Sequence, residues 1–143
     1  MQKPDAMIAH LTDLQSPEAC GRLVVKVGSA LLVGSDGKPR RKWLTGLASE
    51  IAQAKDRGQD VIIVSSGAIA LGSRILGLEK GGRGSLADAQ ASAAVGQIAL
   101  SSLWAELLGN HELTAAQVLI TLEDLEGRRR YLNASATLNR LLE

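Results

Sequence analysis

Lys26, followed by the Gly28-Ser29 pair, is the position of this chain best suited to handle an anion. The three residues close the segment Arg22-Leu-Val-Val-Lys-Val-Gly-Ser29. A run this rich in Val and Leu is expected as a strand buried in a parallel sheet, with the lysine buried near its end. An ammonium in that place is costly unless an anion meets it. Ligands of open parallel sheets bind at the carboxyl ends of the strands. A glycine there lets backbone N–H groups approach a ligand, so Lys26 is a candidate phosphate-handling lysine. The plain alternative is a solvated strand end.

Ser65-Ser66-Gly67 repeats the pattern after a second apolar run, Val61-Ile-Ile-Val64. A helix starting there would offer free N–H groups and a partial positive charge. Ser66 is suited to bond a carboxylate or phosphate, and Gly67 to let it reach the backbone. Ordinary N-capping by serine is the competing explanation. Two such turns on adjacent strands, one carrying a lysine, favour a shared anion site.

Other candidates fall away. Gly34 and Gly37-Lys38 miss the spacing of a P-loop, and Pro39 follows the lysine. Gly82-Arg-Gly84 with Ala87 matches a dinucleotide fingerprint by letter, but a helix end rather than a strand precedes it. Arg83 is then expected as a solvated loop residue, with reach to a ligand as the alternative, and Arg128-Arg-Arg130 as a local salt-bridged turn with Glu123, Asp124 and Glu126. His10 and His111 have no partner at ligand or triad spacing. Asp88 suits the first turn of a helix.

The elements that must position these turns follow from composition and periodicity. The 143 residues suit one domain, and 45% are hydrophobic. Phe is absent, so the core is aliphatic and surfaces for stacking single-stranded nucleic acid are lacking. A net charge of +1 gives no electrostatic footprint for nucleic acid or an anionic membrane. One cysteine, Cys20, excludes an internal disulfide, and no zinc cluster is evident. No run approaches a membrane span, and the first residues do not form a secretory signal, so a cytoplasmic protein is expected.

Met7, Ile8, Leu11 and Leu14 stripe one helix face within residues 1–21, an extension expected to be flexible or to serve as an oligomer contact. Val33 to Pro39 is a loop by composition. Trp43 to Arg57 is predicted as an amphipathic helix with Leu44, Leu47, Ile51 and Ala54 inward and Gly58 as its stop. Further helices are predicted over 68–76, 86–108 and from about Tyr131, with a glycine-rich loop at 77–84. A third strand is expected over 115–121. The β-α-β-α-α-β-α order predicts a parallel sheet covered by helices.

Leu23-Val-Val-Lys-Val-Gly-Ser29, Val61-Ile-Ile-Val-Ser-Ser-Gly-Ala-Ile-Ala70, Ala93-Ala-Val-Gly-Gln97 and Tyr131-Leu-Asn-Ala134 together resemble the amino acid kinase family, in particular its glutamate-phosphorylating members. The likeness runs from about residue 22 to the end. It implies a three-layer αβα sandwich with a mainly parallel sheet, ATP and glutamate as substrates, and Mg2+ as the accompanying ion. By position, Lys26 resembles the lysine that contacts the ATP phosphates and steadies the transferred group. Gly28 and Ser29 match the phosphate turn, and Ser66 and Gly67 the glutamate-binding turn. Ala30 stands where many relatives carry a hydroxyl. No carboxylate of the chain is assigned to the metal.

The last helix is still in register at Glu143, with no cap, and three strands would leave an open edge. Residues 22–143 are therefore expected to be the N-terminal part of a kinase domain. The resemblance puts the nucleotide-binding segment, the glutamate loop and a second lysine beyond this chain, which alone is expected to be inactive. It also implies a homo-oligomer for the complete protein. A non-catalytic half-domain that assembles with another chain, and a family kinase with a different acceptor, are the alternatives.

Overall fold

The computed structural model describes residues 8–143; Met7 of the expected apolar stripe lies outside them. Two parallel strands, β1 (Arg22–Val27) and β2 (Asp60–Ser65), form the sheet. They pair in register from Arg22 opposite Asp60 to Val27 opposite Ser65. The start of the ladder is pinned by the Arg22–Asp60 ion pair at 3.0 Å. Between the strands run a one-turn helix α1 (Ser29–Leu32) and the longer α2 (Arg41–Asp56). After β2 come α3 (Ala68–Ile75), α4 (Leu86–Gly109), α5 (Leu122–Glu126) and α6 (Arg128–Leu142). The α/β class expected from the sequence, a parallel sheet with helices laid on it, is what the chain forms.

α2 begins two residues before the expected start and turns Leu44, Ala48, Ile51 and Ala54 into the core, with Leu47 half-buried. Gly58, at φ +85, ends it in the left-handed conformation that glycine adopts freely. α4 begins at an N-cap, where the Ser85 hydroxyl accepts from the Asp88 N–H at 3.0 Å. Asp88 thus occupies the first turn, where its charge suits the helix dipole. Leu100, Leu103, Trp104, Leu107 and Leu108 of α4 meet Val27, Leu32, Leu44, Ala48, Ile51 and Leu71 in one core. By length and composition α4 is the one helix among the described residues apolar enough to cross a membrane. The sequence expectation that no run approaches that length needs this correction; within the fold α4 is the central core helix, rich in Ala and Leu because it packs on several elements.

Small residues set the distance between α3 and α4. A Cβ on Gly72 would overlap the carbonyl of Ser92, and one on Gly96 would overlap the carbonyl of Ala68. The two backbones touch, which only glycine permits. The glycine of the Ala93-Ala-Val-Gly-Gln97 stretch is therefore a packing residue. Gly82, in the turn Glu79–Gly82, lies against side chains instead: a Cβ there would overlap those of Ser92 and Ser73.

Two regions differ from expectation. Residues 113–121 belong to no helix or strand, so the expected third strand at 115–121 is corrected. A β-prone run becomes a strand only where a neighbour offers a ladder. This segment instead leaves the end of α4 through the Leu113 N–H bond to the Leu108 carbonyl, and Gln117 accepts from the Ser101 hydroxyl at 3.0 Å. Ahead of β1, a 3-10 turn spans Leu11–Gln15. Gln59, fully buried, donates from its amide to the carbonyls of Leu14 (2.8 Å) and Cys20 (2.7 Å), tying that segment to the sheet.

Arg41 of α2 grips Glu106 of α4 through two bonds of 2.6 and 3.0 Å. The hydrogen bond and then the guanidinium charge hold the Glu106 carboxyl below its ordinary range. A carboxylate with a depressed pKa in the fold stabilises above its unfolded pKa, near 4.3, and loses that contribution as pH falls through the folded value. Glu106→Gln is expected to flatten that acid limb of a stability profile; an unchanged limb would show the pair inert. Gly96→Ala should destabilise by about 1–3 kcal/mol through overpacking. Gly46→Ala, inside α2 with nothing within 4 Å, should instead gain about 0.5–1 kcal/mol. Urea unfolding of the two variants decides this, and equal effects would contradict the packing account.

Candidate functional site

Because β1 and β2 are parallel and in register, both chains leave the sheet at one level, about 4.8 Å apart. Gly28 leads from β1 into α1, and Ser66-Gly67 lead from β2 into α3. The Ser66 N–H donates to the Val27 carbonyl at 2.9 Å, so the second turn is stitched to the first. Gly67 has φ +118 and ψ −2, and a Cβ there would lie 2.5 Å from Leu32 Cδ2. Leu32 is fully buried. Gly67 is thus required by its backbone angle and by the approach of α1.

Gly28 is different. Its φ of −71 suits any residue, and a Cβ there would meet nothing within 4 Å. Packing does not demand a glycine; its absence of side chain leaves the backbone accessible. The first intrahelical donors of α1 are Leu31 and Leu32, both bonding the Gly28 carbonyl. The N–H groups of Ser29 and Ala30 lie in the first turn, where helix geometry supplies no acceptor.

The expectation that Lys26 is buried is corrected. Leu23, Val25 and Val27 lie on the face that the helices cover, and alternation puts Lys26 on the other with Val24. Val24 is 64% exposed and Val64, opposite Lys26, is 50% exposed. Burial of both sides of a strand needs helices on both faces, and the described helices cover one. Lys26 is therefore a solvent-facing ammonium at the carboxyl end of β1, two residues before the Gly28 turn. Ser66 is also exposed.

All five residues singled out from sequence, Lys26, Gly28, Ser29, Ser66 and Gly67, thus fall at the same end of the sheet. The rejected motifs fall elsewhere. Gly34 to Lys38 form a tight turn closed by the Gly34 N–H to Lys38 carbonyl bond and flanked by a Val33–Pro39 bridge. The Arg74 guanidinium donates to the Asp36 carbonyl of that turn. Arg130 pairs with Glu123 at 2.8 Å, as a local turn would. Among the described residues no three His, Cys, Asp or Glu side chains gather as a metal site.

Sequence reasoning missed two supports of the turns. Leu32, in a helix too short to show a period, fills the space against Gly67. Trp104, 8% exposed on α4, donates its indole N–H to the Ser65 hydroxyl at 3.1 Å. The signal available was compositional: one of only two tryptophans in a chain without Phe, set among the leucines of the Ala-rich helix.

The chain thus builds a parallel α/β frame whose neighbouring strands end in two glycine turns, one beside an exposed lysine. The chain belongs to the amino acid kinase family, whose model matches residues 21–143. It is similar to the glutamate 5-kinase of Novosphingobium aromaticivorans, 70% identical over 135 residues, which make up 94% of this chain and 36% of that protein. The glutamate 5-kinase of Sphingopyxis alaskensis is 68% identical over 88% of this chain and 34% of its own length. That of Zymomonas mobilis is 63% identical over 88% of this chain and 32% of its own. The chain thus spans about a third of the length of these curated relatives.

Gly67→Ala is expected to cost about 1–3 kcal/mol, from the left-handed angle and the overlap with Leu32. Gly28→Ala should change stability by less than about 0.5 kcal/mol. Thermal or urea unfolding of both variants tests the difference, and a tolerated Gly67→Ala would break the account of the two turns.

Proposed function

We propose that this chain supplies the phosphate turn and part of the acceptor turn of an enzyme that phosphorylates the side-chain carboxylate of glutamate with ATP. The product is glutamyl 5-phosphate, and the reaction opens proline biosynthesis in the cytoplasm. The observation that carries the reading is the stitching of the Ser66-Gly67 turn to the end of β1 by the Ser66–Val27 bond, beside Lys26 and Gly28. Membership of the family and the names of the relatives support it.

In this reading a glutamate carboxylate oxygen attacks the γ-phosphorus of ATP, the bond from that phosphorus to the bridging oxygen breaks, and ADP leaves. Such transfer depends on positioning and on stabilising charge. Lys26 sets a full positive charge beside the transferred group, and the free N–H groups of Ser29 and Ala30 face the phosphates. Ser66 bonds the acceptor, with Gly67 keeping the backbone within reach. Magnesium, when bound, neutralises phosphate charge; no described residue of this chain is assigned to hold it. The complete assembly is a homo-oligomer in this account.

In the whole protein that carries this sequence, Lys26→Met should lower kcat about 10²–10³-fold. Ser66→Ala should raise the glutamate KM about 5–10-fold, the range of one hydrogen bond, and leave the ATP KM nearly unchanged. A coupled ADP-release assay measures both. Near-normal turnover in Lys26→Met would sink the assignment of that lysine.

A further inference from the structure

We propose that Trp104 is a positioning residue for the acceptor turn, acting through the Ser65 hydroxyl; the proposal rests on the glutamate-kinase reading above. The Trp104 indole N–H donates to Ser65 Oγ at 3.1 Å, and Ser65 Oγ in turn donates to the Ser66 carbonyl at 3.3 Å. One hydroxyl serves as acceptor from the helix and donor to the turn, which uses its single proton and one lone pair. On the other side of the same residue, the Ser66 N–H is taken by the Val27 carbonyl at 2.9 Å. The two peptide groups of Ser66 are thus held on both sides, one directly by β1 and one by the Ser65 hydroxyl, which itself accepts from α4. With both fixed, the Ser66 Cα–Cβ direction has little freedom left.

Packing alone does not explain a tryptophan at this place. The core is otherwise aliphatic, built of Val, Leu, Ile and Ala around this one ring. A buried indole needs a partner for its N–H, and a leucine or phenylalanine would fill volume without that demand. The partner here is the last residue of β2, one step before the proposed acceptor serine. α4 also touches α3 backbone to backbone at Gly96 and Ala68, just beyond the turn. The helix therefore sets the turn from two points, and its hydrogen bond acts on Ser66 through the Ser65 hydroxyl.

The test uses Trp104→Phe, Ser65→Ala, the double variant and Ser65→Thr in the whole protein that carries this sequence. Trp104→Phe keeps most of the ring and removes the donor. The expected result is a rise of about 5–10-fold in the glutamate KM for Trp104→Phe and for Ser65→Ala, with the ATP KM changing less than about twofold. The double variant should be no worse than either single one, and Ser65→Thr, which keeps the hydroxyl, should restore the glutamate KM. Equal rises in both KM values, additive losses, or failure of Ser65→Thr to rescue would each overturn the proposal. A second readout does not depend on activity. Trp104 contributes an indole N–H resonance to a ¹H–¹⁵N spectrum, assigned by its loss in Trp104→Phe, and it should move in Ser65→Ala while that of Trp43 stays. A stationary Trp104 signal would overturn the contact itself. An unaltered protein that fails to phosphorylate glutamate, with the Trp104 signal still moving, would instead overturn the function reading and the acceptor role with it.

Discussion

The approach of the two strand-end turns is the constraint on which the site depends. It is made by the Ser66 N–H bond to the Val27 carbonyl and by Gly67 lying against Leu32. Parallel pairing brings β1 and β2 to one level, but pairing stops at Val27 and Ser65. Beyond that point the ladder no longer holds the backbone, and the extra bond with the glycine contact takes over. A side chain at Gly67 would push α1 away and part the two turns. The turns proposed to take phosphate and acceptor would then be two surface loops rather than one site.

The helices serve that constraint from behind. α3 carries the second turn at its start, and its position is set by backbone contact with α4 at Gly72–Ser92 and Ala68–Gly96. α4 is held in turn by the aliphatic core and by the Arg41–Glu106 pair to α2. The chain of contacts runs from core to helix to turn, and the charged group at the end of it, Lys26, stays in solvent. That division suits the proposed phosphoryl transfer, in which fixed backbone donors and an exposed cation have different tasks.

Much of this was legible in the residues. Continuous apolar runs, Val and Leu in β1 and Val and Ile in β2, marked both strands, and small residues after them marked the turns, because a parallel strand end and a helix start each leave a local signature. Non-local facts were not legible. Whether Lys26 is buried depends on which sheet face the helices choose, and one strand reads alike in both cases. Residues 115–121 have the composition of a strand but no ladder to join. Gln59, a polar residue just past the helix stop, is fully buried and donates to two carbonyls of the segment ahead of β1, which its neighbours in sequence do not announce. The Trp104–Ser65 bond spans 39 positions, a separation no periodicity reports.

The central claim is that the two turns form one site with two occupants. Backbone amide shifts in a ¹H–¹⁵N spectrum of the whole protein that carries this sequence test it most directly, titrated first with glutamate and then with a non-hydrolysable ATP analogue. The account predicts that glutamate moves Ser66 and Gly67, that the nucleotide moves Gly28, Ser29 and Ala30, and that each ligand sharpens the response to the other. Saturating shifts confined to other parts of the chain, with these five amides unmoved, would contradict it.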